Sequence, residues 1–219
     1  MLPLIPLIRS RILKLLKVSL IVAPLVAFNC AAAETILVFG DSLSAAYGIE
    51  QKQGWVNLLQ QKLQQSNDTY QIINASISGE TTAGGLARID QTLKQHQPSI
   101  VILELGANDG LRGLPVAEMQ QNLEKMLVRI QKTTPKIVLV GMKIPPNYGV
   151  KYTQTFAQTY TVLAKKYHVT LVPFLLEGVA GNRALNQADG VHPIASAQPT
   201  LLNNVWPYLM PMLKPSSAK

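Results

Sequence analysis

Phe39-Gly40-Asp41-Ser42-Leu43-Ser44-Ala45-Ala46-Tyr47-Gly48 follows directly on the apolar run Thr35-Ile36-Leu37-Val38. A β-like run that breaks at Gly-Asp-Ser is a strand running out into a tight turn. Such a turn admits three readings: a plain cap, a phosphate cradle or a seat for a nucleophile. In the last of these, Gly40 lets the chain turn and Ser42 stands at the start of a helix with its Oγ exposed. Asp41 then holds the turn.

Outward from this stretch the chain alternates between two periods. Runs rich in Val, Ile and Leu at 35–39, 70–75, 99–105, 136–142 and 169–174 read as strands. They are nearly continuous rather than alternating, the pattern of parallel strands buried on both faces. Helical spacing marks 54–65 (Trp55, Leu58, Leu59, Leu63), 82–96 (Leu86, Ile89, Leu93), 116–132 (Met119, Leu123, Met126, Leu127, Ile130) and 153–167 (Phe156, Tyr160, Leu163, Ala164). A last helical segment, 194–213, is interrupted by Pro199, Pro207 and Pro211. Residues 66–68, 132–135 and 178–189 read as loops. Strand–helix alternation predicts βαβ units with right-handed crossovers, hence one three-layer α/β/α domain.

The chain has 219 residues, 47% hydrophobic and 15% charged, so it can bury a real core. Its formal charge of +8 is unevenly placed. Arg9, Arg11, Lys14 and Lys17 precede the apolar run 18–28, and Cys30-Ala31-Ala32-Ala33 follows it. A basic flank, a short apolar stretch and an Ala-x-Ala ending predict a signal peptide over 1–33, with 34–219 as the mature domain. The apolar run is too short to span a bilayer. Removing 1–33 takes four positive charges and leaves +4, a mild excess that excludes a nucleic-acid footprint. It also removes Cys30, the only cysteine, so neither disulfide nor thiol nucleophile is expected. An exported protein, periplasmic or secreted, follows, with no stable membrane span in the mature chain.

In open α/β sheets ligands sit beyond the carboxyl ends of the strands. The loops there read Gly40-Asp41-Ser42, Ser76-Ile77-Ser78-Gly79, Gly106-Ala107-Asn108-Asp109-Gly110 and Lys143-Ile144-Pro145-Pro146-Asn147. There is no G-x-G-x-x-G, Walker loop, H-E-x-x-H, Cys-rich metal spacing or G-x-S-x-G elbow, so no metal is expected and an ordinary α/β-hydrolase is disfavoured. A serine nucleophile needs a base, and the chain has three histidines. His96 and His168 end polar helices, where a cation simply faces the helix dipole. His192 sits in Asp189-Gly190-Val191-His192-Pro193, with Asp189 close enough to fix its tautomer. A capping role for Asp189 also fits that spacing. Gly79 N–H, the Asn108 amide and Ser42 N–H are candidate donors to an oxyanion, although Gly79 and Asn108-Asp109-Gly110 also read as turn signals.

FGDSLS, SISGET, GANDG and DGVHP together, in that order, resemble the blocks of the SGNH (GDSL) hydrolase family. The stretches NASISGETT, QHQP, ELGANDGLRGLP and IPPNYG resemble its periplasmic thioesterase, arylesterase and lysophospholipase branch. The resemblance implies a flavodoxin-like five-stranded parallel sheet of order 2-1-3-4-5 and no cofactor. It implies Ser42 as nucleophile, His192 as base, Asp189 as its orienting acid, and Ser42, Gly79 and Asn108 as the oxyanion hole. Ala46 and Ala107 stand where that branch often has Gly. By the same resemblance Asp109, Leu111 and Leu114 border the acyl pocket, with Arg112 facing solvent or an anionic head group and Pro145 on the opposite wall. The expected partner is a small-molecule acyl ester or thioester, acted on by a monomer. A carbohydrate acetylesterase of the same fold, and a flavodoxin-like phosphate- or nucleotide-binding module, are the alternatives.

Overall fold

The computed structural model describes residues 34–66, 70–134 and 136–213. The expected leader, 1–33, lies outside them. Five strands form one parallel sheet: β1 (Glu34–Gly40), β2 (Tyr70–Asn74), β3 (Ile100–Glu104), β4 (Lys136–Val140) and β5 (Thr170–Val172). Their order is β2-β1-β3-β4-β5, the expected one. The helices are α1 (Trp55–Gln65), α2 (Thr82–His96), α3 (Ala107–Leu111), α4 (Val116–Gln131), α5 (Val150–Tyr167) and α6 (Gln198–Leu209).

Parallel pairing requires each crossover to return over a face of the sheet. Accordingly α1 packs with α6, and α2, α4 and α5 pack in sequence against one another. The sheet between these layers is dry. Ile36 to Phe39, Ile100 to Leu103 and Val138 to Val140 are fully buried, which explains why these runs do not alternate. The edge strand β2 is half-exposed, consistent with its more polar Tyr-Gln-Ile-Ile-Asn run.

Three local expectations change. Residues 41–49 are successive turns rather than the start of a helix, and α1 begins only at Trp55. Ala46 and Gly48 in this segment have φ of 58° and 73°, values that interrupt a right-handed helix. Residues 107–111, which read as a turn, form the short helix α3. The interrupted last segment resolves into a 3₁₀ turn at Ala195–Ala197, α6 and a second 3₁₀ turn at Met210–Met212.

Register places the site. β1 and β3 pair with Phe39 opposite Leu103 and Gly40 opposite Glu104. The chain therefore leaves both strands at the same level, carrying Asp41 and Ser42 from one and Gly106 to Asn108 from the other. Gly40 is required there, because a Cβ at that position would lie 2.5 Å from Glu104 Oε2 and 2.9 Å from its carbonyl.

Candidate active site

Ser42 opens the turn after β1, and the loop before α6 brings His192 to it. His192 Nε2 is 2.9 Å from Ser42 Oγ, and its Nδ1 is 2.7 Å from Asp189 Oδ2. The Asp189-Gly190-Val191-His192 stretch is a tight turn about the aspartate. Val191 N–H and His192 N–H both donate to Asp189 Oδ1, at 2.9 and 3.0 Å. Gly190, at φ 73°, supplies the left-handed residue the turn needs. Gln187 N–H donates to the His192 carbonyl at 2.7 Å, and Ile194 N–H to the Leu185 carbonyl at 3.0 Å. The imidazole is thus held from both its ring and its backbone. The backbone N–H groups of His192 and Val191, and then the His192 ring, hold Asp189 down to about 2, so it is ionised.

Tyr47, absent from the sequence-based set, packs its ring 4.5 Å from the His192 ring. The Gln187 amide reaches across to the Tyr47 carbonyl at 2.8 Å, tying the nucleophile turn to the histidine loop. Nothing in the spacing of a lone loop tyrosine announces this contact.

Behind Ser42 the turn is anchored by buried carboxyl groups. Asp41 Oδ1 accepts from Leu43 N–H at 3.0 Å, the turn-holding role expected of it. Its Oδ2 accepts from Asn108 Nδ2 at 3.1 Å. Asn108 Nδ2 also donates to the Glu80 carbonyl at 3.0 Å, so its amide is fixed by two partners. Burial pushes Asp41 up to about 7. Glu104, at the end of β3, accepts from Ser44 Oγ at 2.7 Å and from Asp41 N–H at 3.2 Å.

Gly79 lies in the exposed loop after β2 with φ 79°, adjoining the Glu80 carbonyl that Asn108 holds. Its own carbonyl accepts from the Arg112 guanidinium at 2.8 Å. Arg112 therefore braces the Gly79 peptide rather than simply facing solvent.

A cavity of about 540 Å³ opens beside Ser42, Asn108 and His192. Its walls are largely apolar: Leu43, Leu111, Met142, Ile144, Pro145 and Phe174. Of the residues expected at an acyl pocket, Leu111 and Pro145 line this cavity. Leu114 and Asp109 do not. Leu114 is on the surface, and its carbonyl accepts from the Tyr152 hydroxyl at 2.7 Å. Asp109 is buried and accepts from Thr82 N–H and Oγ at 2.8 and 2.6 Å, which ties α3 to the start of α2. Among the described residues no group of His, Cys, Asp and Glu could hold a metal ion.

The sequence from 38 to 198 matches the model of the GDSL-like lipase/acylhydrolase family. The chain belongs to that family. Relatives cover most of its length. It is 50% identical over 183 residues to "Esterase TesA" of Pseudomonas aeruginosa, a match spanning 84% of this chain and 91% of the relative. It is 40% identical over 193 residues to "Thioesterase 1/protease 1/lysophospholipase L1" of Escherichia coli K12, spanning 88% and 91%. Among solved structures, the psychrotrophic esterase EstA from Pseudoalteromonas, inhibited by monoethylphosphonate, superposes with a TM-score of 0.78. That match has 42% identity and covers 82% of this chain and 98% of the other. As a member of the GDSL-like family the chain is a serine esterase, a hydrolase of carboxylic esters.

Proposed function

We propose that the chain hydrolyses acyl esters and thioesters through an acyl-enzyme intermediate on Ser42. The observation that carries this reading is the continuous relay Asp189–His192–Ser42, with contacts of 2.7 and 2.9 Å, at the mouth of an apolar cavity. His192 takes the proton of Ser42 Oγ as the oxygen attacks the acyl carbon. It then returns that proton to the leaving alcohol or thiol. Asp189, ionised and bonded to Nδ1, fixes the tautomer that leaves Nε2 free to accept. Water repeats the sequence on the acyl-enzyme.

The developing oxyanion is received by the N–H groups of Ser42 and Gly79 and by the Asn108 amide. Asn108 keeps its bond to Asp41 and exchanges the Glu80 carbonyl for the oxyanion. The apolar walls suit a hydrocarbon acyl chain better than a sugar, which favours acyl substrates over acetylated carbohydrate. The leader at 1–33 supports export to the periplasm, where the chain works as a monomer without cofactor.

A panel of p-nitrophenyl esters and acyl-CoA thioesters of rising chain length, run on wild type and Ser42→Ala, tests the reading. Ser42→Ala loses turnover by several orders of magnitude on every substrate while keeping its fold. Equal activity in the mutant would end the proposal.

A further inference from the structure

Glu104 is an acidic residue at the end of an otherwise apolar strand, Ile-Val-Ile-Leu, and it is fully buried. Its two oxygens differ. Oε2 accepts from Ser44 Oγ and from Asp41 N–H, whereas Oε1 is buried and has no hydrogen-bond partner among the described residues. An ionised carboxylate with one bare oxygen in a dry core is far costlier than a neutral acid in the same place.

Among the described residues, the groups that face Glu104 offer it no positive charge. From the nucleophile turn come Ser44 and the acidic Asp41. From α5 comes Tyr160, whose hydroxyl is given to the Leu105 carbonyl at 3.0 Å. Near Asp41 lies Asp109 of α3, engaged with Thr82. Beyond Asp41 stands Glu80, and the Arg88 of α2 spends its charge there, with Nε 2.7 Å from Oε1. Among the described residues neither Asp41 nor Glu104 belongs to an ion pair. Burial first, and the neighbouring Asp41 second, push the Glu104 carboxyl well above its ordinary range.

We propose that Glu104 is a positioning residue that works as a neutral acid. It ties Ser44 and the Asp41 amide to the end of β3 without placing negative charge beneath the oxyanion, and its ionisation closes the active range on the alkaline side. The step is a simple proton loss to solvent base. With the proton gone, a second charge stands behind Asp41 and opposes both the oxyanion and the geometry of the Asn108 amide. The activity half of this inference rests on the proposed roles of Ser42 and Asn108; the protonation half does not.

Infrared spectroscopy reads the proton directly. At pH 7 the difference between wild type and Glu104→Gln shows the carbonyl stretch of a protonated carboxyl. A difference containing only carboxylate bands overturns the proposal, whatever Ser42→Ala does to turnover. Glutamine keeps an acceptor for Ser44 and Asp41 N–H, so kcat at neutral pH falls by no more than about fivefold. The alkaline fall of kcat expected of wild type then moves up by at least about one pH unit. An alkaline limb identical to wild type in Glu104→Gln overturns the activity half. Ser44→Ala keeps the test open if the glutamine variant fails to fold. The Ser44 hydroxyl favours the ionised form, so its loss moves the alkaline limb upward. A shift downward, or none, overturns the proposal.

Discussion

Ser42 stands between two carboxyl neighbourhoods of opposite character. On one side Asp189 sits in a loop, with its side chain 41% exposed, and backbone N–H groups of its own turn hold it ionised. On the other side Asp41 and Glu104 are fully buried, and burial favours their protonated forms. The same functional group is thus a permanent anion on the side where an imidazolium develops. On the side where an oxyanion develops, it is kept close to neutral. The difference follows from donors against desolvation, not from residue type.

Asp189→Asn tests the first side and carries the largest effect after removal of the nucleophile. The asparagine Oδ1 still accepts from Val191 and His192 N–H, so the turn survives. Its Nδ2 presents a donor to His192 Nδ1 and enforces the wrong tautomer. We expect kcat to drop roughly 10⁴-fold, the loss found where an aspartate plays this part in other triads. A loss below about tenfold would mean that Asp189 only caps the turn.

Asn108→Ala tests the second side and is expected to lower kcat by roughly 10²–10³ with little change in KM, because its donation matters most to the charged intermediate. A change confined to KM would make Asn108 a substrate-positioning group and would remove the reason for a neutral wall behind it.

The contrast between the two sides was unevenly legible in the amino-acid sequence. The proximity of Asp189 and His192 could be read, because they lie within four residues and the Gly between them signals the turn, but the spacing alone left a capping role for Asp189 also open. The positions of Ser42 and Asn108 at strand ends follow the apolar runs, whose burial the structure bears out, whereas the strand order is implied only by the family resemblance. The Asp41/Glu104 side could not be read, since it depends on the β1–β3 register that sets Gly40 against Glu104 across more than 60 positions. Glu104 did leave a trace as the one charge in a run expected to be dry. The family resemblance places Asp109 and Leu114 at the border of the pocket. The loop in fact winds into α3 and turns Asp109 inward onto Thr82. The Tyr47–His192 contact joins residues far apart in sequence, so local spacing carries no sign of it.

Stability against pH separates the two sides without reference to activity. Asp189 is lowered from 3.8 to about 2, so its contribution is present above pH 3.8 and is lost as the pH falls through about 2. Asp41 is raised from 3.8 to about 7, and the sign reverses. Between these values the folded chain holds a proton that the unfolded chain has released. Stability from this group is therefore complete below pH 3.8 and drains away as the pH rises toward 7. One full proton corresponds to a slope of about 1.4 kcal/mol per pH unit, an upper bound for this one group. Asp41→Asn cannot titrate. Whatever constant cost it carries for facing an amide to Asn108, its unfolding free energy should lack that slope. Urea midpoints measured from pH 4 to 7 would show wild type losing ground to the variant across the window. Parallel curves for the two proteins would mean that Asp41 is ionised throughout, and the two sides of Ser42 would then be electrostatically alike.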